Sequence, residues 1–224
     1  MAKEWSWSFS RLKNYETCPL KHNEVDILKH FKESTENLAW GNKVHENFAL
    51  ALKGGALPTT MVGWQHWIDW AKALPGELLV EQKYAITRDY QPTEYFHPNV
   101  WMRTIADVVA IDGDVAVTLD WKTGKLPKDP SLEGVQLALV SQCLFAFFPN
   151  LKAVKAFYVW LKEDTATDEV FRRSDMPNLW TALLPRVMKM EQAARTGVYQ
   201  PKPSGLCRNY CPVTTCQFHG KGGY

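Results

Sequence analysis

The chain has 224 residues, 46% of them hydrophobic and 22% charged, with a formal net charge of +2. That length can bury a sizeable core, so one domain spanning 1–224 is expected. The balance excludes a strongly basic nucleic-acid coat but leaves room for a local basic groove. No apolar run reaches the roughly 18–20 residues of a membrane span, so no membrane association is expected. The first residues, Met1-Ala2-Lys3-Glu4-Trp5-Ser6, lack an apolar signal region, which points to a cytoplasmic location. Five cysteines in such a setting suggest metal or redox use before structural disulfides.

In chain order, Ser8-Phe9-Ser10 reads as a helix cap, and Cys18-Pro19 ends one helix and starts another. Asn37 to Lys53 reads as a helix closed by Gly54-Gly55, with Val44, Phe48 and Leu52 on its apolar face and His45 just beside it. Thr60 to Leu74 follows as a helix with Trp64, Trp67 and Trp70 on adjacent turns, a stripe that reads as core. Together these helices occupy about 8–75. A core of about 77–196 comes next. Its first strand, Glu77 to Thr87, places Glu81 and Lys83 on one face and Val80, Gln82 and Tyr84 on the other. After two further strands come a helix over Ser131 to Phe148, a strand over Val154 to Leu161, a short edge strand over Glu169 to Arg172 and a helix over Asp175 to Thr196. A Cys-rich tail of about 200–224 is loop-like. The order implies an α/β fold, a central mixed sheet flanked by helices.

The informative stretch is the pair of strands at 101–111 and 114–122. Asp112-Gly113 is a two-residue hairpin signal. With that loop, Ile111 faces Asp114 and Asp107 faces Thr118. Asp107, Thr118, Asp120 and Lys122 then share one face, and Val115, Val117, Leu119 and Trp121 share the other. Alone, an Asp-x-Lys strand is usually a solvated face. Diagonal neighbours roughly 7–8 Å apart can instead share a metal, whereas a one-residue slip would put Asp107 on the wrong side.

These motifs resemble the RecB-like members of the PD-(D/E)XK nuclease superfamily. The resemblance rests on Ser8-Phe9-Ser10-Arg11-Leu12 with Tyr15 and Cys18-Pro19, on Gly41-x-x-x-His45, on Asp107 followed by Asp120-Trp121-Lys122-Thr123-Gly124-Lys125, and on Gln136-Leu137-Ala138-Leu139. Each motif alone is weak; their order and spacing are the specific part. Two positions depart from the family pattern. Thr104 stands where glycine is common, and Val140 where tyrosine is common.

The resemblance implies a restriction-endonuclease-like core and metal-dependent hydrolysis of DNA, by an exonuclease of recombination, repair or phage DNA processing. It implies a bacterial cell or a phage-infected host, with a recombinase, helicase or single-strand-binding protein as candidate partners. Asp107 and Asp120 fit as ligands for Mg²⁺ or Mn²⁺, with the carbonyl of Trp121 and with His45, by family analogy. Lys122 would orient water or stabilise charge, Glu81 add a carboxylate, and Gln136 hold the nucleophile or a phosphate. Glu81 with Lys83 also suits a surface pair, and Gln136 a core hydrogen bond. Lys125 and Lys128 suit phosphate contacts or solvent.

Cys18, Cys207, Cys211 and Cys216 resemble the layout of iron–sulfur nucleases, one cysteine before the core and three after it, which implies a 4Fe–4S cluster. The middle cysteine of the trio is displaced by one, so zinc, with His219 as a replacement ligand, is the alternative. Cys143 reads as core. The competing functions are a non-catalytic DNA-binding module and a metal-bound adaptor for a helicase or recombinase.

Overall fold

A computed structural model describes residues 5–33, 35–128 and 134–222. The chain divides into two compact units, one made of Glu36–Leu179 with Met1–Ser6, the other of Trp7–Thr35 with Trp180–Tyr224.

The first unit holds the sheet. Helix α3 (Glu36–Leu52), a 3₁₀ segment (Thr59–Trp64) and α4 (Gln65–Lys72) precede the strands. The strands are β1 (Glu77–Ile86), β2 (Pro92–Thr93), β3 (Met102–Asp112), β4 (Val115–Lys122), β5 (Ala153–Trp160) and β6 (Thr165–Arg172), with α5 (Gly134–Phe147) between β4 and β5. They form a six-stranded mixed sheet in the order β2-β1-β3-β4-β5-β6. Only β4 and β5 run parallel, joined by the crossover through α5. This is the α/β arrangement of a mixed sheet flanked by helices.

The apolar pattern of α3 explains how it docks. Val44 and Phe48 lie one turn apart, fully buried, in a cluster with Ile68, Val108, Leu119, Trp121 and Val159. Phe48 meets Trp121 edge to face, with centroids 5.1 Å apart. Trp64, Trp67 and Trp70 pack against the same cluster, as expected of a core stripe. Helix α5 is apolar nearly all round and buried from Leu137 to Phe145, Cys143 included. Arg173 holds the carbonyls at and just past the helix C-terminus, donating to Phe145 O, Phe148 O and Pro149 O.

The structure corrects several local expectations. The β3–β4 turn is Gly113-Asp114, not Asp112-Gly113, because Asp112 pairs with Val115. Thr118 therefore opposes Val109 instead of Asp107. The shift is two residues, so it leaves every side chain on its expected face. Tyr84 does not share the environment of Val80. Val80 packs with the α3–α4 cluster, whereas Tyr84 meets Phe147 of α5 at 5.0 Å. Between them Glu81 adopts φ +55°, a left-handed conformation that breaks the alternation. The edge strand is longer than Glu169–Arg172, and the helix expected over 60–74 begins as a 3₁₀ segment. The first residues of the helix expected from Ser131 lie outside the described residues.

The second unit joins the two ends of the chain. Helices α1 (Phe9–Thr17) and α2 (Pro19–His22) meet at Cys18, with Ser8 capping α1 as expected. Helix α6 (Met176–Thr196), from Trp180 onward, and the turn α7 (Leu206–Asn209), in a tail expected to be loop, come from the other end. Trp7 packs edge to face on Trp180, and Arg186 donates two hydrogen bonds to Glu16. No helix among the described residues is long and apolar enough to cross a membrane.

Gly76, which leads into β1, has φ +87°, and a Cβ there would lie 1.8 Å from the Ile111 carbonyl oxygen. Gly76→Ala is expected to lower stability by about 2–3 kcal/mol. Chemical denaturation of the two proteins measures it; equal midpoints would contradict this account of the turn.

Candidate metal-dependent active site

The site lies where β3 parts from β4. Their ladder runs from Asp112–Val115 to Val108–Leu119 and stops, one step before Asp107 would oppose Asp120. On the other side of β3, pairing with β1 skips the step at which Glu81 would oppose Asp107. The Asp107 carboxylate fills the gap toward β4: its Oδ2 accepts the Trp121 N–H at 2.9 Å. Its Oδ1 meets His45 Nδ1 at 3.1 Å.

Helix α3 delivers His45. Val44 and Phe48 fix the face that docks, so the next residue points along the sheet toward the fork. Gly41 lets the helix approach β4 closely; a Cβ on it would stand 3.3 Å from Thr123 Oγ1. That gives Gly41-x-x-x-His45 a packing reason. Among the described residues, His45, Glu81 and Asp107 form the group of candidate ligands whose donor atoms all lie within 4.8 Å of one another.

Asp120, Lys122 and Gln136 form a second, contiguous group. Lys122 Nζ lies 2.7 Å from Asp120 Oδ2 and donates to Gln136 Oε1 at 2.8 Å. Gln136 Nε2 donates to Asp120 Oδ1 at 2.6 Å. Asp120 Oδ2 is buried without a well-directed hydrogen bond, its contact being the Lys122 charge. The Lys122 ammonium also sits 4.7 Å from the centre of the Tyr158 ring. Tyr158 was not legible beforehand. It reaches the site through the parallel register Asp120–Tyr158, which a crossover connection leaves open in the sequence.

The electrostatics follow from crowding. Burial raises the Asp120 pKa, the Lys122 charge opposes that, and the Asp107 charge adds to it. Burial also raises the Glu81 pKa, with Asp107 adding to it. For His45, burial works to lower the pKa, but the hydrogen bond and charge of Asp107, helped by Asp120 and Glu81, outweigh it and raise it to about 9. Lys125 and Lys128 are exposed beyond the site.

The cysteines collect in the second unit. Cys18, Cys207, Cys211 and Cys216 line one cavity of about 90 Å³, with His219 also on its wall. Cys18 Sγ accepts the Lys202 N–H and Cys207 Sγ accepts the Ser204 N–H, both at 3.4 Å. Burial raises the Cys211 pKa, and the nearby Cys207 and Cys18 add to it. Among the described residues, no three of these sulfurs lie within 4.8 Å of one another as the donor atoms of the His45 group do.

A sequence profile of the PD-(D/E)XK nuclease superfamily matches residues 6–216, and the chain belongs to that superfamily. Among solved structures, it is similar to a "Putative exonuclease" from Eubacterium rectale. The two share 14% identity and a TM-score of 0.55, over 93% of this chain and 88% of that one. It is also similar to SSO0001, at 10% identity and a TM-score of 0.47, over 97% of this chain and 88% of that one. No curated protein matches it significantly.

In the metal-free protein, His45 gains stability from its carboxylate partner. A raised pKa means this contribution is complete below about pH 6.5 and lost as pH rises through about 9. In EDTA, the melting temperature of the parent should therefore fall between these values relative to His45→Gln. Parallel pH profiles for the two proteins would show that the pair does not form.

Proposed function

We propose that this protein is a metal-dependent deoxyribonuclease that hydrolyses phosphodiester bonds, acting as an exonuclease in DNA recombination, repair or phage DNA processing. The observation that carries the reading is the convergence of His45, Glu81 and Asp107 beside the Asp120–Lys122–Gln136 group at one break in the sheet. The superfamily supports DNA as the substrate.

The donor set fits a divalent cation. Carboxylates with one imidazole suit Mn²⁺, and carboxylates with water suit Mg²⁺. His45, Asp107 and Asp120 would hold the ion, with the Trp121 carbonyl, and Glu81 would add a ligand directly or through water. When bound, such an ion supplies charge neutralisation for the phosphate and a bound water of lowered pKa.

The chain's own groups account for the rest. Water attacks phosphorus, the P–O bond to the leaving sugar oxygen breaks, and the water's proton is lost as the leaving oxygen gains one. The Lys122 ammonium is poised to donate to the attacking water or to a non-bridging oxygen. Gln136 fixes Lys122 and Asp120 together, and its amide can turn to the nucleophile or a phosphate once these contacts loosen. Trp121 N–H orients the Asp107 carboxylate. His45 must give up its proton to bind a cation.

The match across 6–216 runs through both units, which supports treating 1–224 as one nuclease domain. We assign the cysteine cavity to a 4Fe–4S cluster held by Cys18, Cys207, Cys211 and Cys216. The backbone N–H donors on two of the sulfurs suit bound thiolates. The layout, one cysteine before the core and three after it, resembles that of cluster-bearing nucleases, and zinc held by the same thiolates is the alternative.

Asp107→Ala, Asp120→Ala and Lys122→Ala should each reduce cleavage on the order of 100-fold or more in Mg²⁺ or Mn²⁺. The substrates are end-labelled linear and circular DNA, single- and double-stranded. Near-normal turnover by Asp120→Ala sinks the active-site assignment, and cleavage of circles rules out a strict exonuclease.

Anaerobic purification should yield a brown protein. Cys18→Ser or Cys216→Ser should bleach it and lower its melting temperature, while Cys143→Ser leaves the visible absorbance intact. A colourless parent carrying one zinc would reverse the assignment, and a metal-free parent would reject the site.

A further inference from the structure

The segment between β2 and β3 carries an aromatic surface that the active site does not use. Phe96 is 78% exposed. A lone exposed phenylalanine is unremarkable, but this one has company. Tyr95 packs on it edge to face with centroids 5.1 Å apart. The Arg103 guanidinium lies 5.5 Å from the Tyr95 ring and 5.8 Å from the Phe96 ring. The Lys83 ammonium lies 5.7 Å from the Tyr95 ring. Ile105, 41% exposed, pairs across the strands with Lys83 and adds apolar area.

The surface is held in place. Arg103 Nε donates to the Tyr95 carbonyl at 2.6 Å. The segment behind it is pinned by Thr87 N–H to Gln91 O and by Trp101 N–H to Ile86 O. Trp101 is buried, with Tyr90 and Arg88 against it. The Phe96 ring is therefore presented to solvent without a large ordering cost, with the half-buried Tyr95 ring beside it.

Position gives the surface meaning. Lys83 stands two residues past Glu81 on β1, about 7 Å along the strand. Arg103 stands four residues before Asp107 on β3, about 13 Å away. Both strands run from the aromatic cluster directly to the carboxylates. Rings interleaved with cations are the composition that binds a single strand, with bases on the rings and phosphates on the charges. A duplex hides its base faces and would gain little from Phe96. Glu94 in the segment and Asp89 in the turn before β2 disfavour a purely electrostatic surface, which leaves stacking as the term that discriminates.

Resting on the nuclease reading, we infer that Tyr95 and Phe96, braced by Arg103 and Lys83, form a base-stacking platform that feeds single-stranded DNA to the active site. The platform positions substrate and does no chemistry.

The test uses the full chain with a fluorescent single-stranded oligonucleotide in Ca²⁺, followed by cleavage in Mg²⁺. Phe96→Ala and Tyr95→Ala should each weaken binding roughly 10- to 100-fold, and Phe96→Trp should retain it. Removing the bases of the first few nucleotides from the cleaved end, with phosphates kept, should cost the parent as much and cost Phe96→Ala little more. In cleavage, KM should rise while kcat at saturation stays near the parent's. Equal binding by Phe96→Ala and the parent, or equal losses on blunt duplex, overturns the platform while leaving the nuclease intact. A parent that neither binds nor cuts DNA overturns both.

Discussion

The arrangement of this site depends on carboxylates being forced together at a place where the sheet comes apart. Asp107 sits on a strand whose pairing is interrupted on both sides, at Glu81 and at Asp120. Regular pairing would fill that space with backbone hydrogen bonds. Instead the Asp107 carboxylate takes the Trp121 N–H, and the freed volume admits His45 from α3. Like charges at such separations are costly when partly buried, and the protein offsets them with two cations, Lys122 and protonated His45. With three carboxylates ionised and Lys122 charged, loss of the His45 proton leaves a net charge of −2. That is the charge a divalent ion neutralises.

The shared face of Asp107, Asp120 and Lys122 was legible because it rests on a period of two. Asp107, Asp120 and Lys122 share their face under any even shift, so a misplaced turn did not disturb them. The turn itself was misread because Asp112-Gly113 is a local signal, whereas register is decided by which apolar residues meet across the strands. The pattern of α3 placed His45 beside its apolar face, but the candidate roles of His45 and Gln136 came from the family resemblance of Gly41-x-x-x-His45 and Gln136-Leu137-Ala138-Leu139. Glu81 was legible as a residue type but not as a conformation; nothing local marks a glutamate for φ +55°. Tyr158 was hidden because parallel pairing is set by long-range packing. The edge strand was underestimated because its residues from Thr165 to Val170 are mostly polar, or exposed.

The second unit poses a different problem. It is built from segments at opposite ends of the chain, so its contacts must offset the entropy of closing a long loop. Trp7 on Trp180 and Arg186 on Glu16 contribute. The tail after Gln200 adds little apolar burial of its own; of its residues from Leu206 onward, Val213 is the buried hydrophobic one among those described. If the proposed centre forms, ligands shared by Cys18 and the tail would add cohesion between segments that bury little apolar surface of their own.

One backbone irregularity connects the chemistry to the surface beside it. Before Glu81, Leu78 and Val80 of β1 pack with the α3–α4 cluster. After it, Tyr84 turns to α5, and Lys83 and its cross-strand neighbour Ile105 face solvent. A regular strand would have continued the first alternation. The left-handed residue therefore brings a carboxylate to the fork and re-aims the strand beyond it, exposing the side chains that border the aromatic segment. Such a conformation costs about 1–3 kcal/mol and persists only where surrounding packing over-determines it. Here the register on both flanks of Glu81 is intact, so the strain is confined to the position where it serves the site.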